Sequence, residues 1–170
     1  MRAPFRRAAP PPADVLSRAG LARGDKVLAH TVTTDGTWLL GTRDELLVVG
    51  ERVERIAWEQ VETADWDSET FTLRVLETDA EPFTLVLEDD EPRRLLELIR
   101  ERVTASVVIQ RHVPVAGTRG LRVIARRAPG RRDDLHWRTR YDEGVDPDDP
   151  DVRRLAAEAL ASAKGDVGLG

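Results

Sequence analysis

Residues 71–88 read FTLRVLETDAEPFTLVLE, and this stretch decides the fold of the chain. In its first half, Phe71, Leu73 and Val75 alternate with polar residues, so we expect these three on one face of a strand. Residues 83–88 repeat the alternation, and residues 78–82 between them are rich in turn-forming types. The pattern predicts a β-hairpin with one buried face.

Shorter runs of the same kind precede the hairpin and extend the predicted sheet toward the amino terminus. Asp35-Gly36 separates two of them and is a strong signal for a tight hairpin turn. The apolar spacing near Glu59 and Gln60 is broken, so a helical turn is an alternative to a strand there. The predicted strands are residues 26–32, 38–41, 45–49, 55–58 and 61–66.

After the hairpin the apolar period changes from two to that of a helix. Leu95, Leu98 and Ile99 fall at helical spacing within residues 91–103. Asp90 is the expected N-cap of this helix.

The ends of the chain are interpreted as additions to this central region. A short helix over residues 14–19, capped by Asp14 and ended by Gly20, follows a mobile arm. Beyond residue 104 the sequence predicts three strands, residues 106–113, 120–127 and 135–141, and a helix from about residue 148 to Gly165. The expected fold class is α+β, divided into residues 1–25, 26–104 and 105–170.

Residues 55–66, RIAWEQVETADW, carry a resemblance to a known family. Ile56, Val61 and Trp66 give a five-residue rhythm ahead of a hairpin and a closing helix, and this resembles bacterial pleckstrin-homology-like domains. The chain is also similar to actinobacterial proteins of uncharacterised function that carry such a domain. The resemblance implies an antiparallel barrel closed by a helix over residues 26–104, and a binding or scaffolding module rather than an enzyme. The basic first hairpin of phosphoinositide-binding members is absent, since Lys26 is its lone cation here.

The composition excludes several chemistries. The chain has no cysteine, which excludes disulfides, thiol catalysis and thiolate metal sites. The net charge of −5 argues against a general nucleic-acid coat or an anionic membrane surface as the main partner. No apolar run is long enough to span a bilayer, and no signal-peptide pattern begins the chain, so we expect a cytoplasmic protein.

The third region contains a strongly basic segment. Residues 111–140 hold nine arginines and two aspartates. Period two places the basic side chains of two neighbouring predicted strands on one sheet face, while the aromatic residues fall on the other face. Arginine binds phosphate in a bidentate manner, so this face is a candidate polyanion-binding site. Its residues are Arg122, Arg126, His136, Arg138 and Arg140.

Two acidic segments offer an alternative reading of the same arginines. Residues 77–91 carry seven acids and residues 142–151 carry six, and neither segment has a basic residue. Either segment would neutralise the arginines, within the chain or across a homodimer. Charge compensation and external polyanion binding both stay open at this point.

The tryptophans and histidines of the sequence do not form a pattern that predicts catalysis or metal binding. Trp58 and Trp66 are either core residues or the lining of a ligand groove. The three histidines lie on separate predicted strands without metal-ligand spacing, and no catalytic motif is present, so we predict no metal, no cofactor and no catalytic residue. The first hypothesis is a non-catalytic protein-interaction module. The alternatives are a nucleic-acid-associated protein and a small-ligand or enzymatic site at the barrel mouth.

Overall fold

A computed structural model describes residues 9–88, 92–132 and 134–168. Within these residues the chain is an α+β protein with three antiparallel sheets and three α-helices. It divides between Thr104 and Ala105 into two compact units. Most of the expected amino-terminal arm, the expected cap Asp90 and the predicted helix start at Glu91 lie outside the described residues.

The first unit contains seven strands. The elements in chain order are α1 (Ala13–Ala19), β1 (Ala29–Val32), β2 (Trp38–Gly41), β3 (Glu45–Val49), β4 (Val53–Ala57), a 3₁₀ turn (Trp58–Gln60), β5 (Val61–Asp67), β6 (Thr72–Glu77), β7 (Phe83–Val86) and α2 (Arg93–Ser106). The second unit contains β8 (Val107–Ala116), β9 (Arg119–Arg126), β10 (His136–Tyr141) and α3 (Pro150–Asp166).

The seven strands form two sheets rather than the expected closed barrel. One sheet has the order β1-β2-β3-β4 and the other β5-β6-β7. An isolated bridge between Thr33 and Leu87 joins them, and the described strands form no closed barrel. The 3₁₀ turn at Trp58–Gln60 separates β4 from β5, so consecutive strands enter different sheets. The expected closed barrel is therefore unconfirmed, and the described strands show two antiparallel sheets.

The first sheet is buried on both faces, and neighbouring residues of β3 show this directly. Leu46 and Val48 belong to a core shared with the second sheet and with α2. Leu47 and Val49 belong to a separate cluster on the opposite face, together with Val15 and Ala19 of α1. Burial on both faces explains why β3 is almost continuously apolar instead of alternating.

The short helix α1 ends as expected but begins differently. Gly20 takes a left-handed conformation after the last turn, with φ of 56°. Pro12 occupies the N-cap position and makes no side-chain cap, so the expected cap Asp14 lies inside the first turn instead. Arg55 of β4 donates to the carbonyl oxygen of Ala19 and, at 2.8 Å, to that of Gly20. These bonds satisfy carbonyls at the helix end that have no partner inside the helix.

The second unit is a three-stranded sheet of order β10-β9-β8 with α3 packed on one face. Leu121 and Val123 of β9 contact Val152 and Ala159 of α3 in its core. Exposure alternates strictly along β8, because every second side chain points away from the core. The sheet therefore has one apolar face under α3 and one polar face.

The strand β8 and the last helix both extend beyond the ends that the sequence predicts. The strand expected to end at Val113 continues through Pro114, which β8 tolerates because it is an edge strand of its sheet. The last helix continues past Gly165 to Asp166. Its start is as expected, since the Asp149 carboxylate accepts hydrogen bonds from the first-turn backbone, as an N-cap does.

Candidate functional site

The first candidate site is a groove between α2 and strands β5 and β6, here called the α2 groove. It consists of two hollows of about 370 and 650 Å³ that share Trp66, Leu96 and Arg100. The smaller hollow is walled mainly by apolar side chains, because this end of the core is only partly covered. The further lining residues are Ala64, Leu73, Ile99, Val103 and Thr104 in the smaller hollow and Ser68, Phe71, Pro92, Arg93 and Glu97 in the larger.

Phe71 lies in the larger hollow in an unusual backbone conformation. Its φ is 54°, in the left-handed region that bulky side chains rarely occupy. The carbonyl oxygen of Phe71 accepts a hydrogen bond from the backbone N–H of Leu87 at 2.8 Å, and the residue is 40% exposed. The sequence placed Phe71 beside Leu73 and Val75 in the core, but only those two are buried. The conformation turns the Phe71 ring out of the core toward the groove.

The two tryptophans proposed from sequence as groove residues are not brought together. Trp66 lines the α2 groove, whereas Trp58 has 0% exposure and lies in the core. The indole of Trp58 donates to the carbonyl oxygen of Thr42 at 3.2 Å, which satisfies its one polar atom. Trp58 is therefore a core residue, and its assignment to the groove is corrected.

The sequence did not identify the helix side of this groove. Leu96 and Arg100 lie outside the apolar spacing of Leu95, Leu98 and Ile99, so that spacing gives no signal that they line a groove. Arg93 donates to Glu97 at 2.9 Å, so these two exposed charges neutralise each other at the groove edge. Arg100 contributes a cation to both hollows.

The second candidate site is the polar face of the β8-β9-β10 sheet, here called the basic face. The register places Arg140 opposite Arg122, and His136 opposite Arg126. Arg138 stands opposite Ile124, between those two pairs. The structure thus brings together all five residues singled out from the sequence, on the face of the sheet away from α3.

Part of the charge on this face is compensated inside the unit. The Asp142 carboxylate lies 3.5 Å from both Arg122 Nη1 and His112 Nε2. It also accepts a hydrogen bond from the backbone of Gly120 at 2.8 Å. This hydrogen bond, followed by the charges of Arg122 and His112, holds the pKa of Asp142 below its ordinary value. Arg126 is half-buried and donates to Ser106 Oγ at 2.7 Å.

The lowered pKa of Asp142 makes the stability of the second unit depend on pH. The native value lies below the unfolded one, so ionised Asp142 stabilises the fold above about pH 4 and loses this effect as the pH falls further. We expect Asp142→Asn to lower the urea midpoint of unfolding near neutral pH. The difference between its midpoint and that of wild type should disappear in acid. The indole NMR signal of Trp137, the one tryptophan after residue 104, reports unfolding of this unit.

The control for this experiment is Asp134→Asn, which removes an exposed carboxylate from the same unit. It should leave the midpoint close to wild type near neutral pH. A gap between wild type and Asp142→Asn that stays constant down to about pH 2.5 would contradict the assigned role of the ionised carboxylate.

Across the described ranges, no three histidine or carboxylate side chains converge in a way that could hold a metal ion. His30 lies on β1 with its ring centroid 6.0 Å from that of Trp38, whereas His112 and His136 lie on β8 and β10. Burial, and secondarily Arg94, lowers the pKa of His30. Among the described helices, none combines the length and apolar character that crossing a bilayer requires.

Comparison with known proteins gives no assignment. No family model matches the chain, and no curated protein matches it significantly.

Proposed function

We propose that this chain is a non-catalytic protein-interaction module of the cytoplasm, built on a pleckstrin-homology-like domain over residues 26–104. The support for the domain is the order of its elements, with sheets of four and three strands followed by one helix. The support for the function is the α2 groove. An exposed apolar hollow beside the edge strand of a sheet suits the binding of an extended peptide.

The position of β5 carries the proposal. Within the described strands, β5 is the outer strand of the β5-β6-β7 sheet, and no neighbour follows it. A peptide that adds to this edge gains backbone hydrogen bonds, and every second side chain of the peptide faces the groove. Trp66 and Leu96 offer the apolar surface for one such side chain.

The charges of the groove define the expected occupant. Arg100 reaches both hollows, while the other cation of the larger hollow, Arg93, is already neutralised by Glu97. We therefore expect a peptide with a large apolar anchor and a nearby carboxylate that pairs with Arg100.

The lining chemistry also supports binding over catalysis. Of the described residues around the smaller hollow, Arg100 is the ionisable one, and a guanidinium keeps its proton at physiological pH. Phe71 adds strain at the groove edge, about 1–2 kcal/mol for a left-handed residue with a side chain. Strain of this kind is held at binding sites more often than elsewhere.

A displayed library of random linear peptides, selected against the full chain, tests this function. We expect the recovered sequences to share an apolar anchor and an acidic residue. Their Kd values, measured by fluorescence anisotropy, should rise at least about tenfold in Arg100→Glu, because one attractive pair becomes repulsive. On titration, the indole NMR signal of Trp66 should shift while that of the buried Trp58 stays in place.

Two variants separate binding from folding. Phe71→Gly removes the ring and relieves the left-handed strain, so the peptide should be lost with little change in stability. Val86→Thr alters an exposed apolar side chain outside the groove and should bind as wild type does. Peptides that bind all variants equally, or a selection without a shared motif, would refute the α2 groove as the binding site.

A further inference from the structure

We propose that the free edge of strand β8 pairs with the same edge in a second copy of this chain, so that two three-stranded sheets form one continuous sheet. This inference concerns the second unit and is independent of the α2 groove. Among the described strands, β8 has β9 as its one neighbour and lies at the edge of the sheet. An edge of this kind presents backbone N–H and C=O groups to which another strand can add.

The contacts of Gly120 on β9 determine which residues of β8 direct their backbone groups outward. Gly120 donates its N–H to the Asp142 carboxylate and accepts from the Asp142 N–H, each at 2.8 Å, so its backbone groups point away from β8. Bonded and non-bonded pairs alternate along an antiparallel ladder, so its partner Pro114, and then His112 and Gln110, point outward. Pro114 fits this alternation because it has no N–H to donate. No described residue supplies a backbone partner on this side of β8.

Charge and donor content favour one register for the pair. Two copies related by a two-fold axis pair antiparallel, and the regular segment of β8 between its register shifts is residues 109–113. An axis at Arg111 would place two guanidinium groups directly opposite each other. An axis at His112 would place Gln110 opposite Pro114, which lacks a donor. With the axis at Gln110, the backbone groups of the two Gln110 residues bond to each other and both conflicts are avoided.

A charged pair beside the proposed axis favours a second copy as the occupant. Arg111 donates to Ser162 Oγ at 2.7 Å and pairs with Asp166 near the end of α3. The side chains of Arg111 and Asp166 are 35% and 53% exposed, so both are accessible. Since the pair holds one charge of each sign, two copies can bring opposite charges next to each other. A segment with a single sign of charge would leave one member of the pair unmatched.

The other side chains along this edge are compatible with a weak association. Val108 and Gln110 are uncharged and exposed, and the Nε2 atom of His112 lies 3.5 Å from the Asp142 carboxylate of its own unit. The strand contains no lysine, a residue that often blocks pairing at free edges. The register shifts at both ends limit the regular pairing to residues 109–113. So short a pair buries less surface than a standard interface, and we expect a Kd on the order of 10 µM.

Opposite charges introduced at the axis test the pairing in the full chain. Sedimentation velocity of the wild type should show a mass that rises with concentration from that of one chain to that of two. Gln110→Lys and Gln110→Glu each place two like charges opposite each other, so each variant alone should weaken dimerisation at least about tenfold. An equimolar mixture of the two variants should restore the dimer, because lysine then faces glutamate.

The matched control is Gln60→Lys, the same change at the other glutamine of the chain, which lies in the first unit. It should dimerise as the wild type does. An unchanged Trp137 indole signal verifies that the second unit is folded in each variant. Hydrogen exchange gives a second measurement, since the amides of Gln110 and His112 should exchange more slowly as the dimer forms.

Each of four results would overturn the inference. The first is a chain that remains monomeric at about 100 µM, well above the expected Kd. The second is a dimer that both Gln110 variants form as readily as the wild type, which would assign dimerisation to another surface. The third is a mixture of the two variants that stays monomeric. The fourth is slow exchange of the Gln110 and His112 amides in the dilute monomer, which would show that the chain itself covers this edge.

Discussion

Replacement of Gly120 by alanine is expected to unfold the second unit at urea concentrations that the wild type withstands. A Cβ atom at this position would lie 2.0 Å from the carbonyl oxygen of Val113 and 2.9 Å from the Cα of Pro114. Both are backbone atoms of β8, so rotation of a side chain cannot relieve the overlap. The two strands must separate beside the register shift at Pro114 and Ala116. We expect a loss of more than about 3 kcal/mol in the free energy of unfolding.

The same substitution also disturbs the Asp142 anchor. Gly120 donates its backbone N–H to the Asp142 carboxylate, and its carbonyl oxygen accepts from the Asp142 backbone, each at 2.8 Å. The control is Gly165→Ala in α3, where an added Cβ has open space and helix propensity favours alanine by about 1 kcal/mol. The Trp137 indole signal in urea measures both variants. A Gly120→Ala midpoint equal to that of wild type would show that β8 and β9 do not approach this closely.

Trp58→Ala should cause the corresponding loss in the first unit. The side chain is the largest of the fully buried ones, and it packs in the core between the two sheets and α2. Its removal leaves a cavity, and the Thr42 carbonyl oxygen loses the indole donor. Substitutions of this kind cost about 3–5 kcal/mol. Urea unfolding followed by the indole signals of Trp38 and Trp66 checks the value.

A graded variant distinguishes packing from hydrogen bonding at this position. Trp58→Phe keeps most of the buried apolar surface but still removes the donor to Thr42, which is worth about 1 kcal/mol net. We therefore expect it to fall between wild type and Trp58→Ala. A loss of less than about 1 kcal/mol in the free energy of unfolding of Trp58→Ala would show that Trp58 is not a core residue. That result would support the assignment of Trp58 to a groove.

The sequence was a good guide where turn residues bound a short apolar run, or where a single periodicity runs through an element. The bounds of β2 and β3 are those predicted, and Leu95, Leu98 and Ile99 of α2 are buried as their spacing indicated. Each of these elements satisfies its local pattern and its tertiary contacts together. In the second unit, the alternation along β9 and β10 correctly placed the arginines opposite the apolar face.

The sequence predictions are wrong where the local pattern fits two arrangements equally well and tertiary contacts determine which one forms. Phe71 continues the apolar alternation of β6, yet the turn before the strand gives it a left-handed backbone and leaves its ring exposed. Trp58 and Trp66 both lie in short apolar runs, and the sequence does not distinguish the fully buried Trp58 from Trp66, which lines the α2 groove. The broken apolar spacing near Glu59 and Gln60 indicated the 3₁₀ turn at Trp58–Gln60, but it did not indicate that β4 and β5 enter different sheets.

The run of Leu46, Leu47, Val48 and Val49 lacks polar residues, which is typical of a strand covered on both faces. It indicated that another element must lie on the outer face of the first sheet. That element is α1, which the sequence prediction placed outside the domain.

This placement of α1 bears on how fragments of the protein behave. A proteolytic product or recombinant fragment that starts at Lys26 lacks Val15 and Ala19, and so presents Leu40, Leu47 and Val49 to water. An exposed apolar patch of this kind promotes self-association. Oligomers formed through that patch would be artefacts of truncation and would carry no information on the stoichiometry of the intact polypeptide.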